Sequence, residues 1–279
     1  EIASCLVGSE MCIRDRNCDV PIYLANHHRG FMHEWLRYQA FYLMEYWRMK
    51  HGEDMLGRVW RESKSHEDPI TAYKRIAGLS QDQFNAEVWE SACHDITWDY
   101  PLGGYLRRIV DRQSEADRQT WYTHKTRLIA ENGYYRSYPD TVTADHGTEQ
   151  NIAFTPHDYG YNAFQLSVPE GGTTVTAEFE GITGDSRYRT VGDSKAGWRF
   201  GFVGVQGSWT PVYGDMGEAT GTAPQASVSF TVPGGGLKRL WFVVSGAPTR
   251  HEPHVWDDDV SNDEEYPYRV KFVNTEVKN

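Results

Sequence analysis

Long apolar runs are missing from this chain, and so is any excess of positive charge. No stretch of the 279 residues approaches the ~20 apolar residues that a membrane helix needs. Lys and Arg number 28 against 39 Asp and Glu, a net charge of -11. That balance argues against nucleic acid as a partner, because its binders carry a basic footprint. Internal repeats and low-complexity tracts are absent as well. A complete zinc-peptidase helix is also lacking. Such a helix carries two His one turn apart, so that both nitrogens reach one metal, with Glu beside the first as base. Here His33-Glu34-Trp35-Leu36-Arg37 puts a cation where the second His belongs. The expectation is therefore a surface-facing His33 and Glu34, and no tightly held zinc or peptidase activity in this chain. His27 and His28 lie close by but have no ligand spacing. His251 and His254 read as loop residues.

Cysteine is scarce, and the first residues reduce it further. Leu6 to Arg16 is similar to one translated frame of a transposase sequencing adapter. Residues 1–16 are accordingly expected to be an artefact outside the fold, with the natural N-terminus and any signal peptide missing. Of four cysteines, Cys5 and Cys12 fall in that segment, leaving Cys18 and Cys93. These permit one disulfide, but two free thiols is the favoured reading, with Cys93 packed in a helix.

Ten Trp, 17 Tyr and 26 Gly are plentiful by contrast, a composition that suits a secreted β-rich protein. From Gly30 to His51, Met32, Trp35, Leu36, Ala40, Leu43 and Trp47 recur at helical spacing, which predicts one amphipathic helix. A short helix should follow, burying Leu56, Val59 and Trp60. Asp68-Pro69 is a helix start, with Gly78 as its stop. Ser80 and Gln83 form a capping box before Phe84, Val88, Ala92 and Ile96. Residues 103–118 add a further turn or two. Beyond Thr120 the pattern changes. Glu131-Asn132-Gly133 signals a hairpin, since Asn-Gly tolerates positive φ. Short β-rich runs follow at 163–168, 173–179, 198–205, 227–232, 240–244 and 268–273, split by Gly- and Pro-rich turns. The expected fold is α+β: a helical segment over 17–118 and an antiparallel β-sandwich over 119–279.

Two further groups of residues bear on function. Asp257, Asp259, Ser261 and Asp263 alternate in an acidic loop, as the oxygen ligands of a calcium loop do. Asn262 stands where a calcium loop has Gly, and the bidentate Glu is absent. Asp257, Asp259 and Asp263 are the candidate calcium ligands, against a solvated acidic loop. Trp198, Trp209, Tyr213 and Trp256 sit in or beside expected turns. They are candidates for stacking on sugar rings, against packing in the sandwich core.

Residues 29–62, with Phe31, Trp35 and Tyr38 leading to Tyr46, Gly52, Leu56 and Trp60, resemble the paired helices that follow the zinc helix of gluzincin-type metallopeptidases. Asp68-Pro69 through Ile76, then Gly78-Leu79-Ser80 and Phe84 to Trp89, fit the next part of that pattern. Phe84-Asn85 with Thr97-Trp98-Asp99, Tyr213-Gly214-Asp215-Met216, Leu240 to Val244 and His254-Val255-Trp256-Asp257 resemble a group of secreted bacterial proteins of unknown function. In that group a peptidase-like helical part precedes a β-sandwich. The resemblance implies a truncated metallopeptidase whose zinc ligands lie upstream, with a sandwich that binds a glycan or cell-surface protein. The competing expectation is a non-catalytic secreted binding protein.

Overall fold

A computed structural model describes residues 19–36, 41–112, 124–140, 153–255, 257 and 259–278. Among these residues, six α-helices come first: α1 (Asp19–Asn26), α2 (Phe41–His51), α3 (Met55–Glu62), α4 (Pro69–Ala77), α5 (Gln81–Asp95) and α6 (Gly103–Arg112). Nine strands follow: β1 (Leu128–Glu131), β2 (Tyr134–Ser137), β3 (Tyr161–Leu166), β4 (Thr174–Gly181), β5 (Gly197–Gln206), β6 (Thr210–Thr220), β7 (Gln225–Thr231), β8 (Arg239–Gly246) and β9 (Tyr268–Val273). They form two antiparallel sheets, one ordered β1-β2-β9-β4-β7 and the other β3-β8-β5-β6. The chain is α+β, with the sheets in its C-terminal part.

Local chemistry explains several boundaries. Asp68 Oδ1 accepts from the backbone N–H groups of Ile70 and Thr71, and Gly78 closes α4 at φ 74°. Ser80 and Gln83 bond reciprocally at the start of α5. Asn132 and Gly133 both take positive φ, 51° and 79°, between β1 and β2. That is the geometry a two-residue hairpin turn needs.

The β3-β8-β5-β6 sheet is covered on both faces. On β8, Leu240, Phe242 and Val244 face the second sheet, while Trp241 and Val243 join the helical core. On β5, Trp198, Phe200 and Phe202 point between the sheets, and Val203 and Val205 point at the helices. Even- and odd-numbered residues of β5 thus alternate between the two cores, while its pairing with β6 shifts register between Gly201 and Val203. The α5 helix lies against this sheet. Its Trp89 Nε1 donates to Val243 O at 3.2 Å, and Asn85 Nδ2 to Pro248 O at 2.9 Å. The order of layers is helices, four-stranded sheet, five-stranded sheet.

Two helical expectations need correction. The span from Gly30 to His51 is not one helix. His33 and Leu36 make i–3 backbone bonds, Glu34–Leu36 is a 3₁₀ turn, and the described α-helix begins at Phe41. Trp60 is 52% exposed, while Met55 is the buried residue of α3.

Candidate metal centre

The segment from His27 to Gly30 lies flat against residues 157–161. His157 N donates to His28 O at 2.7 Å, and Tyr161 N to His27 O at 2.8 Å. Two glycines permit this approach. A Cβ on Gly160 would lie 1.9 Å from His28 O, and one on Gly30 2.2 Å from Asp158 O. The contact carries His28, Arg29, His33 and Glu34 to the edge of the sandwich, where all four are buried.

They meet Asp140, His157, Asp263 and Glu265, also buried. His33 Nε2 lies 3.1 Å from Asp263 Oδ2, and His157 Nδ1 lies 4.0 Å from the same oxygen. Among the described residues, His33, His157 and Asp263 form a group whose ligand atoms all lie within 4.8 Å of one another. The outward-facing ring nitrogens meet carboxylates. His157 Nε2 is 3.1 Å from Asp140 Oδ2, and His33 Nδ1 is 3.7 Å from Glu34 Oε1. Glu34 Oε2 is in turn 3.0 Å from His254 Nε2. Carboxylates behind imidazoles fix tautomer and ring orientation in metal sites.

Burial holds His157 below its ordinary pKa, although Asp140 pulls the other way. His28, also desolvated, falls to about 3. A neutral imidazole is the form that ligates a metal. Burial raises the carboxyl of Asp263, but His33, His157 and His254 outweigh it and keep the group below its usual range. Asp140 is held low in the same way by His157 and His28.

Arg29 and Arg189 are the guanidinium groups here. Arg29 Nη1 is 2.8 Å from His33 Nε2, and its Nη2 is 3.5 Å from Asp140 Oδ2. Arg189 donates to Asp263 O at 2.8 Å and Asp140 O at 3.0 Å. Against these two cations stand Asp140, Asp263, Glu34 and Glu265, an excess of negative charge among the described residues. One ring nitrogen is also asked to do two things. His33 Nε2 cannot accept from Arg29 and donate to Asp263 together, and a metal shared by His33 and Asp263 would take the ring's lone pair in place of Arg29. The donors are two nitrogens and one carboxylate oxygen, which suits zinc or another first-row transition metal. Calcium wants an all-oxygen shell.

The expected sites fare differently. His33 and Glu34 are each only 2% exposed, not surface-facing. His254 is drawn in from its loop to Glu34. Asp257, Asp259 and Asp263 do not converge. Asp257 accepts from Asp259 N and Asn262 Nδ2, and Asp259 from Ser261 N, while Asp263 turns inward. Short Asx-type bonds thus hold the outer part of the loop. Trp198 is fully buried, with its Nε1 donating to Tyr266 O, so no sugar reaches its face. Trp209 donates to Asp111, and Arg239 stacks over its ring. Tyr213 is 39% exposed but stacks on His94 and donates to Asp99. Both tie β6 to the helical layer. Trp256 and Cys18 lie outside the described residues. Cys93 is a buried free thiol.

Sequence reasoning missed Arg29, Asp140 and His157. No local spacing joins them, and His33 and Asp263 are 230 residues apart. The available signal was the company they keep: His27-His28-Arg29-Gly30 and His157-Asp158-Tyr159-Gly160 each end on a glycine that lets two backbones meet.

No helix among the described residues is long and apolar enough to cross a membrane. The comparison with curated proteins gives no match. Residues 10–279 match the family of unknown function DUF6055, and the chain belongs to that family.

Proposed function

We propose that this protein is a secreted metal-dependent hydrolase of metallopeptidase type, with a transition-metal ion, zinc by default, held by His33, His157 and Asp263. The observation that carries the proposal is the carboxylate behind each imidazole, Asp140 in hydrogen-bond reach of His157 at 3.1 Å and Glu34 at an ion-pair distance of 3.7 Å from His33. A hydrogen bond to a carboxylate makes an imidazole a better ligand and fixes which nitrogen faces inward. Bound zinc supplies a Lewis acid and an acidified water. Three protein ligands leave a fourth coordination position on the ion, at a site whose residues are 2–4% exposed. Glu34 is held in its place behind His33 by His254, 3.0 Å away. The sandwich then serves as scaffold and as an accessory surface-binding part. The expectation of a zinc-free chain rested on spacing within one helix, whereas this ligand set is drawn from distant segments.

One observation favours a second reading. Arg29 Nη1 lies at 2.8 Å from His33 Nε2, so Arg29, with Arg189, can serve as the cation of a metal-free polar core in a non-catalytic binding protein. Metal analysis of the purified chain, with peptide-cleavage assays on unstructured casein, separates them. The hydrolase reading expects one zinc per molecule, its loss in His157→Ala, and cleavage that a chelator abolishes. Zinc without cleavage removes the hydrolase and leaves a metal-stabilised binding protein. No zinc leaves the arginine-centred core.

A further inference from the structure

A second polar site lies on the outer face of the five-stranded sheet, and its lining shares no residue with the metal centre, although the loop after β4 contributes to both. Register places Arg136 of β2, Arg269 of β9 and Glu180 of β4 side by side in one row across the sheet. The β1–β2 hairpin supplies Glu131, Asn132 and Tyr134 at one end. The loop after β4 supplies Ile182, Asp185 and Arg187 at the other. Together they line a cleft of about 330 Å³, within the roughly 300–1,000 Å³ range of small-ligand sites.

Its side chains are already fixed in pairs. Arg269 Nη2 donates to both oxygens of Glu180, at 2.9 and 2.7 Å, and its guanidinium stacks over Tyr134 at 4.9 Å. Arg187 grips Asp185 through Nε at 3.0 Å and Nη2 at 2.6 Å. The buried Arg136 bonds the Tyr188 hydroxyl and lies 3.4 Å from Glu131. Three guanidinium groups therefore face three carboxylates. The cleft carries no net charge to attract an anion, and Ile182 and Tyr134 offer too little apolar surface for a greasy ligand. What it presents is a dense array of planar donors and acceptors. Adjacent hydroxyl groups on a sugar ring, each both donor and acceptor, match such an array. Pairing beforehand also lowers the ordering cost of binding.

We propose that this cleft binds a neutral carbohydrate, with Arg269 and Glu180 as the central hydrogen-bonding pair and Tyr134 and Ile182 as its apolar wall. The site differs from the aromatic positions expected from sequence, since Trp198 is buried and Trp209 and Tyr213 are tied to the helical layer. Native affinity gels cast with xylan, mannan, mixed-linkage β-glucan or soluble starch test it on the full chain, with heparin as an anionic control. The expected result is retardation by at least one neutral polysaccharide, and at least tenfold weaker binding in Arg269→Ala and in the milder Glu180→Gln. Thermal unfolding of Glu180→Gln should match the parent, which separates lost binding from lost fold. Retardation by heparin alone overturns the proposal in favour of an anion site. So does failure to bind any of the four neutral polymers, or binding that survives both substitutions.

Discussion

Asp95 shows how far one residue can set a local balance. It is 1% exposed at the end of α5 and accepts from Tyr23 and Tyr100 at 2.5 Å and from Tyr161 at 3.0 Å. Burial pushes its carboxyl up to about 7, and the tyrosine hydroxyls only partly pull it back. An unfolded Asp titrates near ~3.9. The folded chain therefore keeps a proton that the unfolded chain has released, and this stabilisation is lost as pH rises from about 4 through about 7. Asp95→Asn should flatten that part of the stability curve relative to the parent, by a few kcal/mol across the window. Denaturant midpoints at pH 4, 6 and 8 would show it, and an unchanged difference between parent and variant would refute it. Trp198 makes a simpler case. As a core residue its replacement by Ala should cost about 3–5 kcal/mol, read as a lower denaturation midpoint. A sugar-stacking residue would leave stability unchanged.

Elements whose signals are local were legible in the sequence. The Asp68 cap with Pro69, the Ser80–Gln83 box and the Asn132-Gly133 turn depend on neighbours within four residues, and each formed as its chemistry requires. The span 30–36 was not legible. Its apolar spacing suits a helix, but His33 and Glu34 are pulled into a polar cluster made by distant segments. Strand β6 was missed because its Pro211, Gly214 and Gly217 read as turn residues, yet it pairs with β5 along its length. The approach of residues 27–30 to 157–161 depends on Gly160, where a Cβ would meet His28 O at 1.9 Å. Gly160→Ala should force the backbones apart and lower the thermal midpoint by several degrees. It should also weaken zinc binding, since His28, His33 and His157 are placed by that contact. A variant with parent-like melting and zinc affinity would show that the contact does not position the site.

At the scale of the whole molecule, the α+β class and the sandwich followed from strand patterning, and the layering did not. Trp241 and Val243 look like ordinary strand residues, and only the packed structure shows that their face is closed by α5. The same holds for the candidate centre. His33 comes from the helical segment, His157 from the turn before β3, and Asp263 from the loop before β9. A metal there would bind the folded chain and not the unfolded one. Free ligand at a hundredfold excess over Kd would then add about 2.7 kcal/mol of stability by mass action. The direct measurement is thermal unfolding of the chelator-treated chain with added zinc or calcium, in parent and His157→Ala. The account predicts a midpoint several degrees higher with zinc, no response to calcium, and no zinc response in His157→Ala. Equal midpoints with and without zinc in the parent, or a zinc shift that survives His157→Ala, would contradict it.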